Sequence, residues 1–267
     1  GGTISGGTLT LLGGTSVIAT TNTSSRLSGV TINGDVDLSA ANAYLRLAGV
    51  ITLNGTMHVS GSNAYIGLED AVTLASGTIA YEGTSGTRPG MERSVGVNTS
   101  LTIAPGATLR GGFADIGGFR QGNGGWSLIN QGTISADVSG QSLAIGTGSQ
   151  PGNVQLISFT NSGTAQVLSG AALIINPNGS WTNTGTLAVN TGTLNLGGTF
   201  NATGGAGTFA RTGGTVNVSG TVSNAGNTIN FNSATTGSWN LAGGTISGGT
   251  LTLLGGTSVI ATTNTSS

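Results

Sequence analysis

The side chains able to do chemistry are few, and they crowd into one stretch. Arg26 to Asp137 holds fourteen of the fifteen charged residues, and beyond it only Arg211 carries a charge. The single histidine, His58, falls 21 residues after Asp37. If positions at that interval stack, the pair is either a pH-responsive contact or a solvated surface pair worth about 0–1 kcal/mol. Two further segments interrupt the local rhythm and are expected to protrude as loops. Residues 82–98 combine Pro89 with Arg88, Glu92 and Arg93, and residues 111–126 gather Phe113, Phe119, Arg120 and Trp126 among glycines. Aromatic rings beside arginine suit stacking on sugars; they equally suit capping the core beneath a loop. These seven residues form the candidate recognition surface.

Most catalytic chemistry lacks its reagents. Cysteine is absent and histidine occurs once, which removes paired His or Cys zinc ligands and a thiolate nucleophile. All seven basic residues are arginine, so neither a phosphate-binding loop lysine nor a Schiff base is available. Asp35 and Asp37 are the one close carboxylate pair at strand spacing, and no carboxylate matches either of them one interval later. Residues 111–118, GGFADIGG, offer a single Asp115 where calcium takes six to eight oxygens. No catalytic residue, metal or cofactor is expected. A net charge of −1 without a basic stripe leaves no electrostatic footprint for nucleic acid. The longest apolar runs, such as 171–175, fall far short of the ~20 residues that span a bilayer.

The elements that position these side chains are visible as repeats at two scales. Residues 1–25 recur unchanged at 243–267, so one 242-residue unit is followed by the opening of the next. Inside that unit lies a shorter period. Residues 31–47 (TINGDVDLSAANAYLRL) align with 52–68 (TLNGTMHVSGSNAYIGL) at an offset of 21, matching Asn33 to Asn54, Asn42 to Asn63 and Tyr44 to Tyr65. Asn161-Ser-Gly-Thr and Asn183-Thr-Gly-Thr follow at 22, and Asn130-Gln-Gly-Thr opens a similar run.

Within each short unit apolar residues alternate, as Val36 and Leu38 around Asp37, or Val216 and Val218 around Asn217. Period two means strands with one buried face, ended by Gly, Asn or Ser at sharp corners. A meander of hairpins reverses at each step, whereas a coil of one turn per unit places like residues over like. Matched asparagines favour the coil, because stacked amides hydrogen-bond along its axis. The chain is therefore predicted to be all-β: a right-handed parallel β-helix of 21–22 residues per turn and about 11 turns per 242-residue repeat. Residues 1–242 make one continuous solenoid, and 243–267 begin the next.

Runs such as SLINQGTISADVSGQSLAI and SWTNTGTLAVNTGTLNLGGTF resemble the Asn-x-Gly-Thr and Gly-x-Leu-x-Leu turns of bacterial surface β-helices, namely filamentous haemagglutinin-like adhesins and autotransporter passengers. That resemblance implies a secreted, extracellular protein that adheres or scaffolds at a cell surface. Its expected partners are adjoining identical repeats end to end, with host or neighbour-cell glycans or proteins as adhesion targets. A glycan-binding or glycan-cleaving β-helix is the alternative. An ice-binding solenoid stands further back, because Thr8-Leu9-Thr10 has no Thr-x-Thr partner one interval on.

Overall fold

A computed structural model describes residues 1–118, 124–146, 156–202 and 204–261, with the side chains of 96–98 left aside. The chain is a right-handed parallel β-solenoid of about 10 turns, 60% strand and without helices among the described residues. Each turn passes through three short faces. Face A contains Arg26–Ser28 and the start of Tyr44–Val59; face B contains Thr31–Asn33, and face C contains Asp35–Asp37. Among the described residues, strands pair in parallel with their counterparts one turn away, as in Tyr44 with Tyr65 or Leu194 with Val216, except between Thr208–Arg211 and Thr228–Asn232.

Alternation along the strands builds the core. One residue in two points inward, so Leu128, Phe159, Trp181, Phe200 and Val222 form a column on face B. Trp181 and Phe200 stack at 4.0 Å between ring centroids, and the Trp181 indole N–H donates to the Gly197 carbonyl at 2.9 Å. The Asn-x-Gly-Thr motif is explained by the corner between faces B and C. A Cβ at Gly132, Gly163 or Gly185 would strike a backbone carbonyl of the preceding turn, so only glycine lets the turns approach there. At the corner between C and A, Asn42 and Asn63 hold left-handed φ values of 61° and 56°, a conformation asparagine tolerates.

Amides run along the axis beside these corners. Asn130 Nδ2 donates to Asn161 Oδ1 at 2.6 Å, Asn161 Nδ2 to Asn183 Oδ1 at 2.6 Å, and Asn183 Nδ2 to the Ala206 carbonyl at 2.8 Å. All three side chains are fully buried. On the surface Asn54 Nδ2 donates to Asn33 Oδ1, and Asn63 Nδ2 to Asn42 Oδ1, both at 2.7 Å. On the outer side of face A, Asn240 donates to Asn217 and Asn217 to Asn195.

The turn count corrects the expected eleven. Turns are 20 residues long from Arg26 to Arg46 and 21 from Leu173 to Leu194, but 29 from Ile116 to Ile145 and 30 from Leu143 to Leu173. The extra residues of these long turns lie between the paired strands, apart from Ile157, which is taken up as a bulge opposite Trp126 and Ser127. The expected loops are corrected likewise. Residues 82–89 link faces C and A, but Gly90–Arg93 open the strand Gly90–Gly111 and pair with Tyr65–Leu68, so this part of the expected loop belongs to face A. Within 111–126, Ala114–Ile116 is a strand of face A and Trp126 opens a strand of face B. A further insertion, between Ser142–Ile145 and Leu156–Asn161, carries no charge and escaped the sequence reading.

Two substitutions test this packing. Asn161→Ala removes the middle of the buried amide ladder and strands polar groups on both neighbours, so it is expected to cost about 2–4 kcal/mol in denaturant unfolding. Asn54→Ala, on the exposed pair, should cost under about 1 kcal/mol. A second test concerns Tyr81, whose buried hydroxyl has no hydrogen-bond partner. Burial, with a smaller effect of Tyr65, pushes its pKa well above 10.0. The unfolded chain releases this proton near pH ~10 while the folded chain keeps it, so its contribution is full below pH ~10 and is lost as pH rises. Tyr81→Phe should leave stability at pH 7 within about 1 kcal/mol and make the alkaline decline shallower.

Candidate functional site on the outer side of face A

The polar residues with the most organised surroundings lie on the outer side of face A. Tyr44, Tyr65, Glu92 and Asp115 alternate with the core residues Leu45, Ile66, Met91 and Ile116, so they point away from the solenoid interior. Yet they expose only 1%, 2%, 0% and 3% of their surface. The cover comes from chain that folds back over the face: Ser94 lies close over Gly67, Gly118 against the Tyr65 hydroxyl, and Gly124 against the Arg93 guanidinium.

Beneath that cover the groups engage one another. The Tyr44 hydroxyl donates to Glu92 Oε1 at 2.7 Å. Arg88 donates from Nε to Asp115 Oδ1 at 2.6 Å, from one terminal nitrogen to the carbonyls of Ala114 and Ser142 at 2.7 and 2.6 Å, and from the other to Ser142 Oγ at 3.2 Å. Its guanidinium carbon stands 4.8 Å from the centre of the Phe113 ring. Glu69 is paired with Arg26 Nε at 2.6 Å and Arg46 at 2.9 Å. Glu69, Glu92 and Asp115 thus step back diagonally across three turns: Glu92 is the register partner of Gly67 rather than of Glu69, and Asp115 that of Gly90 rather than of Glu92.

The seven candidate recognition residues do not assemble into one open surface. Arg88 is a part-buried tie between turns, Phe113 lies under it, Glu92 is fully buried, and Trp126 is a core residue at 1% exposure. Arg93 reaches the Gly125 carbonyl at 3.5 Å. Phe119 and Arg120 lie outside the described residues. Glu92 and Trp126 are corrected from surface to interior, because strand pairing fixes their side of the sheet and the overlying chain closes it. The sequence singles out Asp115 only as a lone calcium ligand, and Glu69 not at all. Their signal was spacing: 69, 92 and 115 are each 23 apart, close to one turn.

His58 is placed differently from expectation. Its backbone pairs with Asp37, but its ring contacts Glu82 at 2.9 Å and Asp35 at 3.9 Å, while Asp37 Oδ1 accepts from the Ser39 backbone N–H. The pairs are well exposed, which keeps them weak. On face C, Thr56, Thr78, Thr108, Thr133, Thr164, Thr186 and Thr208 stack on successive turns. Two residues along stand His58, Ala80, Arg110, Ser135, Gln166, Ala188 and Ala210, so no second threonine rank runs beside the first. Among the described residues, no group of three or more His, Asp or Glu is placed to hold a metal ion.

Face C also opens between Thr208–Arg211 and Thr228–Asn232, where no pairing joins the described strands. Two grooves of about 410 and 310 Å³ flank the gap. Arg211 spans the smaller one, donating to the carbonyls of Gly213, Gly214 and Ser238, and partial burial lowers its pKa.

If the outer-face cluster is a clasp between turns, Arg88→Ala should destabilise the protein by about 3 kcal/mol, since it strips a guanidinium from a buried carboxylate. Glu82→Gln, at the exposed His58 pair, should change stability by under about 1 kcal/mol. Thermal unfolding followed by circular dichroism distinguishes them, and equal effects would remove the clasp.

Comparison with known proteins brings no relative to this chain: no protein-family model, no curated protein and no solved structure matches it.

Proposed function

We infer that this chain is a segment of a long extracellular fibre, a β-helix that gives length and an adhesive scaffold at a bacterial cell surface. One observation carries the reading: residues 1–25 and 243–267 are identical, and the described parts of both copies form the end turns of the solenoid. The inward-facing Ile4, Leu251 and Leu253 on those turns are 37%, 38% and 51% exposed, whereas their register partners Leu27, Ile229 and Phe231 are buried. Open strand edges and uncovered apolar residues are what a neighbouring copy would cover. A Cys-free solenoid held by backbone pairing and burial suits an exported protein of great length. Its adhesion partners would be glycans or proteins of a host or neighbouring cell. The glycan-binding alternative has less support, because Arg88 and Glu92 are occupied within the molecule.

The purified chain is expected to associate end to end, giving filaments with a fibre-diffraction spacing of about 4.8 Å along the axis. Ile4→Lys together with Leu253→Lys should suppress that association while leaving the fold intact by circular dichroism. A parent chain that stays monomeric in light scattering at millimolar concentration would count against the fibre.

A further inference from the structure

The two copies of the repeated segment do not occupy the same faces. In the first copy Thr3–Ser5 pairs with Arg26–Ser28 on face A, Thr8–Thr10 with Thr31–Asn33 on face B, and Ser16–Ile18 with Asp35–Asp37 on face C. In the second copy the same residues have moved on by one face. Thr245–Ser247 pairs with Thr221–Ser223 on face B, Thr250–Leu254 with Thr228–Asn232, and Val259–Ala261 with Trp239–Leu241 on face A.

The pairings count the turns. On face A the register runs from Ile4 through Leu27, Leu47 and Leu68, then from Ile66 in that same strand through Met91, Ile116, Ile145, Ile175, Leu196 and Val218 to Leu241. That is ten steps. Ile246, the residue identical to Ile4, comes one face later, above Val222. One repeat is therefore ten turns and a third.

We propose that successive copies of the 242-residue unit form one uninterrupted solenoid in which each copy is rotated by one face, a third of a revolution, relative to the copy before it. The proposal rests on the tandem-fibre reading. Its junction is already visible in two halves, because the shared segment shows one edge at each end of the chain. The strand Thr-Ile-Ser takes Val222 under its isoleucine at 246 and Leu27 over the same isoleucine at 4. The valine of Ser-Val-Ile takes Trp239 on one side, as Val259, and Val36 on the other, as Val17. Merging the two halves pairs these strands on both edges with no change of register. The partner surface is thus a second copy of this chain, and it fits in one rotational setting.

The consequence is a three-fold screw. The outer-face cluster around Glu69, Glu92 and Asp115 would point to one side in one copy, to the next side in the next, and return after three copies and thirty-one turns. At about 4.8 Å per turn, copies are spaced about 50 Å apart and the full period is about 150 Å. A fibre built this way presents its charged half in every direction around the axis.

The chain has no cysteine, so Ser85→Cys in the exposed 82–89 corner gives one thiol per copy. In a polypeptide of six consecutive copies, maleimide-nanogold imaged by electron tomography is expected at three azimuths a third of a revolution apart, advancing about 50 Å per particle. Averaged cryo-electron images of the unlabelled six-copy rod, without any substitution, should show the 82–89 corner following the same screw. A continuous rod with every particle on one side would overturn the rotation and leave the fibre standing. Separate beads joined by extended chain would overturn both the rotation and the continuous junction.

Discussion

Parallel, in-register pairing of one turn with the next is the constraint on which this molecule depends. With no helix among the described residues and no cysteine to form a disulfide, each residue's vertical neighbours are set by the register, and a residue that suits its place must suit the residues directly above and below. The columns follow from it: Phe159, Trp181 and Phe200 inside, the threonines of face C outside, the asparagines along the corners. Amides recur because an amide both donates and accepts along the axis, so a stack satisfies its middle members, and Asn130 at the end of the stack keeps an unpaired Oδ1. Glycine recurs at the Asn-x-Gly-Thr corner because the preceding turn's carbonyl occupies the space a Cβ would take.

The same register makes charge expensive. Arg26 and Arg46 are direct partners, two like charges one turn apart, and they are held by Glu69 between them. Like charges directly opposite one another on paired strands destabilise the pair unless something offsets them. Most of the fold avoids the problem, with only 6% charged residues. Where charges do gather, on the outer side of face A, Arg88, Tyr44 and the overlying chain bind the carboxylates into a clasp that joins several turns. A segment that reads as a recognition loop is thereby turned into internal structure.

Insertions are sorted by the same rule. Strand segments absorb little, a single bulge at Ile157, and the turns of 29 and 30 residues place the rest of their excess between faces. Because corners vary in length, residues per repeat and turns per repeat are independent, so a repeat need not close on a whole number of turns. The displacement of the terminal segment from faces A, B and C to B, C and A is the result. Uniform sequence along a fibre and uniform orientation along it are separate properties, and this chain keeps the first without the second.

By itself the sequence determined the solenoid. Period-two alternation, the 21-residue match of Asn33 and Tyr44 to Asn54 and Tyr65, and the Asn-x-Gly-Thr corners all report short-range geometry repeated each turn, which is why they were legible. It also located the charged half. Only the tertiary structure decided which side of the sheet Glu92 and Trp126 face, because side depends on the register across an insertion and on the chain that later folds over it. The same holds for the partners of His58: its register partner is Ala80, and Glu82, which meets the ring, stands two residues past it, an offset that no matched pair in the sequence marks. The turn count, and with it the face each copy occupies, was hidden for a related reason. Pairing fixes the length of a strand, but a corner loop is free to take any number of residues, so residues per repeat do not convert into turns until the pairings are seen.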